Sequence, residues 1–225
     1  MPNTVVNSTS NKLFAPLMGL AFFAIASGYL MSLLPLALGH YSLPVHLGPW
    51  LASVYYTGLL FGAFKAQAII SALGHRVAFV VFLLSLLVSV VFMLLLPNSL
   101  SWLVLRAVAG AATAGIFVVV ESWLLFVDCD KQRASRLGFY MVTLYAGNAL
   151  GQLLIEYLGT GGGLPFLCII ALLGLAIVAP LLSQNSAPQH TQHQALSLKT
   201  IATLSKPAVM GCLVSGLISW GLYTD

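Results

Sequence analysis

Charge is what this sequence has least of. Only 6% of its 225 residues are Asp, Glu, Lys or Arg, where soluble domains carry about 25%. With 60% of residues hydrophobic, no soluble fold has interior enough to hide them, so the chain reads as a polytopic membrane protein. Histidine is missing from the middle of every apolar run, and neither Glu-x-x-His nor Gly-x-Ser-x-Gly occurs. Both absences speak against a membrane-embedded hydrolase. Cysteine is scarce. Cys168 and Cys212 sit in apolar runs as small hydrophobes, and Cys129 stands between Asp128 and Asp130 with no His or second Cys near it. No metal site and no cofactor is expected. The nine Lys and Arg form no basic stripe, so the net charge of +4 does not point to nucleic acid. A filter-like loop, which a channel needs, is also missing.

What is present is a series of apolar runs of membrane-spanning length. They cover Leu13–Leu38, Leu47–Leu73, Val77–Leu96, Ser101–Asp128, Leu137–Leu158 and Leu164–Leu182, the first broken toward its end by Pro35. Before them lies a short polar stretch, with a weak glycosylation match at Asn7-Ser8-Thr9; Asp128–Arg136 is the most charged loop. Ser183–Pro207, rich in Gln, Ser, His and Thr, reads as a mobile linker in which His190 and His193 are solvated. Ala208–Tyr223 is apolar but only about 16 residues long. The expected organisation is a tail (1–12), a six-helix domain (13–183), a linker (184–206) and a seventh helix cut short (207–225). Lys12, Arg76, Lys131, Arg133, Arg136, Lys199 and Lys206 fall at the N-terminus or after runs two, four and six, and the other loops have no Lys or Arg. That bias predicts a cytoplasmic N-terminus and linker, in a bacterial inner membrane.

Only Lys65 and Arg106 are basic within a span. Lys65 is about two turns from Gly74 and is expected to snorkel. Arg106 shares its helix with Glu121, fifteen residues on. That separation is roughly 22 Å along the helix, with the two directions within about 60° of each other. Ala107, Gly110, Ala111, Ala114 and Gly115 between them let another helix come close. The expectation is a helix packed inside a bundle.

An internal echo divides the bundle. Tyr56, Gly58 and Gly62 recur as Tyr145, Gly147 and Gly151 at a constant offset of 89, which also relates Gly74 to Gly163. Two halves of three helices, an odd number, must sit inverted in the membrane, an arrangement common in secondary transporters.

Leu103–Gly110, with Arg106 four residues before Gly110, resembles the helix-four motif of the major facilitator superfamily. Val119-Val120-Glu121-Ser122-Trp123, Arg133–Arg136, Tyr140-Met141-Val142, Gly151-Gln152-Leu153-Leu154 and Gly211–Gly216 resemble its YcaD-like branch. The superfamily's acidic residue between helices two and three is replaced, with Ser71 in its place and Gly74, His75 and Arg76 kept. The resemblance implies an all-α N-domain of two inverted three-helix repeats, and secondary active transport of a small molecule by alternating access, coupled to protons. Family members have twelve helices, so this chain is expected to supply one wall, to need a C-terminal half or a second copy, and to be inactive alone. A non-transporting structural fragment and, behind it, a membrane-embedded enzyme are the alternatives.

On that reading Arg106, Tyr29, Tyr56, Tyr145, Asn148 and Gln152 are the candidate substrate and proton pathway. Glu121 with Arg76 or Arg136 is a candidate cytoplasmic gate. Against these stand plainer readings. Arg106 snorkels, the tyrosines pack, and Glu121 belongs to a static interfacial pair. Glu156, one turn beyond Gln152, is expected to reach outer water.

Overall fold

The computed structural model describes residues 4–124 and 130–182, with side chains over 17–124 and 132–181. They form six helices: α1 (Thr4–Ala37), α2 (Leu47–Leu73), α3 (His75–Leu95), α4 (Ser99–Leu124), α5 (Asp130–Leu158) and α6 (Leu164–Leu182). The linker, the seventh run, Cys129, Cys212, His190 and His193 lie outside the described residues.

Two boundaries differ from the sequence reading. α1 begins at Thr4, so most of the polar tail is helical. α5 begins at Asp130 rather than Leu137 and takes up most of the charged loop. Lys, Gln, Arg and Ala are all good helix formers, so helix continues through 131–136 once α5 has nucleated. A third difference concerns composition. Among the described residues five helices are long and apolar enough to cross a membrane, and α5 is not one of them. Asn148, Gln152, Glu156 and the basic first turns dilute its apolar character.

Turns are set locally. Gly74 alone joins α2 to α3 at φ 78°, a left-handed backbone that suits glycine. Asn98 caps α4: its side-chain oxygen accepts from the Ser101 N–H at 2.8 Å. At the same end of the bundle the α1–α2 and α5–α6 loops are tied together. The Gly162 N–H donates to His40 Nε2 at 2.8 Å, and the Tyr41 hydroxyl donates to the Gly162 carbonyl at 3.0 Å. Tyr41 also packs against Trp102 and Phe166, and the buried Trp102 indole donates to the Met93 carbonyl at 2.9 Å.

Packing repeats between the halves. α4 packs against α2 and α3, as α1 packs against α5 and α6. At the first crossing a side chain on Gly58, Gly62 or Gly110 would collide with backbone of Ala107, Ala111 or Tyr55. At the second, Gly151 would collide with backbone of Ile25 and Tyr29, and Gly28 with backbone of Asn148. Position 59, beside Gly110, and position 148, beside Gly28, are themselves 89 apart. α1 and α4 run antiparallel, since Phe23 meets Phe117 while Met31 meets Arg106. The second triplet is therefore the first one inverted.

Gly138, on the same helix as Gly151, has nothing within 4 Å of an added side chain. Gly151→Ala should therefore destabilise the detergent-solubilised bundle by about 1–3 kcal/mol through overpacking. Gly138→Ala should stabilise it by about 0.5–1 kcal/mol through helix propensity. Thermal unfolding of the two variants side by side checks the opposite signs.

Candidate functional site

α2 shows how the site is divided. Its buried positions, Leu47, Leu51, Tyr55, Gly58, Gly62, Ala66 and Ile70, recur every three or four residues and make one stripe. Tyr55 lies on that stripe and points inward, while Tyr56, one residue on, is 63% exposed. The same division holds on α5, where Gly147 and Gly151 are buried, Tyr145 is 70% exposed and Gln152 is exposed. Asn148 is half-buried at the α1 crossing and donates to the Leu144 carbonyl of its own helix at 2.8 Å.

The interior centre is Arg106, only 3% exposed and held by α4 among the other helices. Its guanidinium carbon lies 4.2 Å from the centroid of the Tyr55 ring, a cation–π contact. One terminal nitrogen donates to the Met31 sulfur on α1, and Nε has no hydrogen-bond partner among the described residues. A small cavity with about 10 Å³ of room for a water centre adjoins it, lined by Ser27, Leu30, Tyr55, Leu86 and Thr113 as well as Arg106. The Thr113 hydroxyl donates to the Ala109 carbonyl, so it turns its lone pairs rather than its proton outward. Arg106 thus sits within the bundle, away from the exposed faces of α2 and α5.

Of the residues expected along the pathway, Tyr56, Tyr145 and Gln152 share exposed faces of α2 and α5. Tyr29 does not join them. It is fully buried and donates to the Gly159 carbonyl at 3.2 Å, which ties down the end of α5. Lys65 is exposed, as snorkelling requires. At the opposite end of the bundle, Glu121 accepts a hydrogen bond at 3.0 Å from Tyr140 on α5. Arg76 instead donates at 2.7 Å to the Leu181 carbonyl in the last turn of α6, a position where a cation complements the helix dipole. Arg136 is half-buried near the start of α5.

A family model described as the Major Facilitator Superfamily matches residues 17–224. The chain belongs to that superfamily. Curated major facilitator relatives include an uncharacterized MFS-type transporter of Enterobacter sp. (strain 638), 30% identical over 223 residues, covering 97% of this chain and 58% of the relative. The uncharacterized MFS-type transporter YcaD of Escherichia fergusonii is 32% identical over 212 residues, covering 92% and 55%. An uncharacterized MFS-type transporter of Yersinia pestis is 29% identical over 225 residues, covering 97% and 58%. The chain spans about half the length of the curated relatives it matches. They are named as transporters, not enzymes, and the six helices have the all-α membrane fold of a major facilitator N-domain.

Sequence reasoning passed over Tyr55, Met31, Ser27, Thr113 and Tyr140. The three-four spacing of α2 does separate Tyr55 from Tyr56. Nothing local marks Met31 or Tyr140, whose partners are 75 and 19 residues away.

Tyr140→Phe should cost about 1 kcal/mol, the usual worth of one hydrogen bond. In a double-mutant cycle Tyr140→Phe and Glu121→Gln should be non-additive. Chemical or thermal unfolding of the three variants in one detergent measures the coupling.

Proposed function

We propose that this chain forms the N-terminal wall of a secondary active transporter that works by alternating access on a small molecule, coupled to protons. One observation carries the reading. The least apolar helices, α2 and α5, are repeat mates, and both leave most of their surface uncovered. Their partners α3 and α6 are the two most apolar spans. A polar helix face in a bilayer has to meet water or protein, because lipid offers nothing to Tyr hydroxyls or amides. α3 and α6 therefore face the acyl chains, and the α2/α5 faces meet a second six-helix unit across an aqueous path. That unit is a C-terminal half or a second copy. The N-terminus lies in the cytoplasm, as the Lys and Arg bias requires.

In this arrangement Tyr56, Tyr145 and Gln152 touch substrate, with Asn148 at the edge of the crossing. Arg106 acts from inside the wall, favouring anionic groups and influencing proton movement by its charge. Glu121 is the cytoplasmic gate residue, exchanging the Tyr140 hydroxyl for Arg76 or Arg136 when the inner side closes. By itself the chain supplies half a pathway and does not transport.

Cysteine accessibility tests the assignment without knowledge of the substrate. In a background without Cys129, Cys168 and Cys212, Tyr56→Cys and Tyr145→Cys should react with a membrane-impermeant maleimide when the chain is co-expressed with a second six-helix half. Leu175→Cys and Val178→Cys, on the exposed face of α6, should react only after solubilisation. Equal protection of all four in the membrane would place α2 and α5 in lipid and end the proposal.

A further inference from the structure

Among the described residues the buried guanidinium has no counter-ion. Arg106 keeps its proton in proteins, and a buried charge is tolerated when it is paired. Its described contacts are a thioether and an aromatic face; neither cancels a full charge. None of the residues lining the adjoining cavity is acidic. The chain has five carboxylate side chains. Glu121 lies roughly four turns along the helix and is engaged by Tyr140. Glu156 is exposed on α5. The side chains of Asp128, Asp130 and Asp225 lie outside the described residues. α1, α2, α3, α4 and α6 of this one bundle all contribute to the cavity wall beside Arg106.

The cavity supplies the missing half of the pair. Arg106, whose Nε–H is buried and unpartnered among the described residues, and Ser27 of α1 both line the space. Room for about one water centre suits a small ligand, and a monatomic ion fits after a slight relaxation of the walls. We infer that this cavity is a binding site for one small monovalent anion, a halide, held by Arg106 Nε and the Ser27 hydroxyl and neutralising the cation inside the bundle. Leu30 and Leu86 supply the apolar remainder of the wall, which strengthens the pairing by lowering the local dielectric. The site is internal to one six-helix unit and independent of whether that unit transports.

The purified 225-residue chain in detergent gives the test, with thermal unfolding followed by tryptophan fluorescence. Sodium chloride or bromide replaces sodium gluconate at constant ionic strength. The midpoint should rise saturably with either halide, and the rise should vanish in Arg106→Met. Ser27→Ala keeps the cation and the helix, and should need at least threefold more chloride for the same half-rise. Lys65→Gln, an exposed cation on α2, should respond as the unaltered chain does. Should Arg106→Met not fold, Ser27→Ala and the anomalous signal of bromide-soaked crystals decide, with a peak expected beside Nε. Equal midpoints in chloride and gluconate, an unaltered halide constant in Ser27→Ala, or no bromide peak at Arg106 would each mean water alone fills the space and would overturn the inference.

Discussion

Backbone-to-backbone approach at two helix crossings is the constraint from which the rest of this bundle follows. Helices in lipid gain little from hydrophobic burial against one another, so close packing through small residues has to hold them. Gly58, Gly62 and Gly110 bring α2 onto α4, and Gly28, Gly147 and Gly151 bring α5 onto α1. Because both crossings engage one stripe of α2 and of α5, the opposite faces of these two helices are left without cover. The same approach carries the Tyr55 ring to Arg106. The uncovered wall and the buried cation therefore have one origin in the glycine pattern.

Inversion then sorts the helices by polarity. Repeat mates occupy equivalent positions, so α3 and α6 share an environment, as do α2 and α5. Composition follows the pairing: the first two are the most apolar spans, whereas α2 is the least apolar span and α5 falls below the range altogether. A hydrophobic count taken along the sequence treats α5 as a weak span. In its place in the fold, Gln152 is on the uncovered side and Asn148 at the edge of the α1 crossing, where lipid is not the solvent that they meet in the proposed assembly.

The order of the six described helices and the repeat were legible because each depends on neighbouring residues or on a fixed offset. The starts of α1 and α5 were not. Polar and charged residues there suggested loop; at α5 Lys131, Gln132, Arg133 and Ala134 form helix readily when one is already nucleated, whereas the Thr, Val, Asn and Ser at the start of α1 have no such propensity. The equivalence of Gly28 with Gly110 was also hidden. These two are 82 apart rather than 89, and only their matched neighbours at 148 and 59 reveal it. Tyr29 shows the limit most clearly. As a tyrosine in a span it looked like the pathway candidates Tyr56 and Tyr145, and the bond to Gly159 that anchors its buried hydroxyl crosses 130 residues.

The buried cation and the uncovered wall are separate sites, but they are in contact. Tyr55 lies under Arg106 on the inner face of α2, and its ring meets that of Tyr56 edge-on with centroids 5.5 Å apart. Tyr56 stands on the uncovered face. The path from guanidinium to wall is thus two aromatic rings on consecutive residues. Any change in how Arg106 is neutralised alters the field on the Tyr55 ring, whose negative face the cation occupies. Tyr56 is the next group along. In the proposed assembly an interior charge need not touch a transported molecule to bear on the face that would, because a single turn of α2 presents one tyrosine to each.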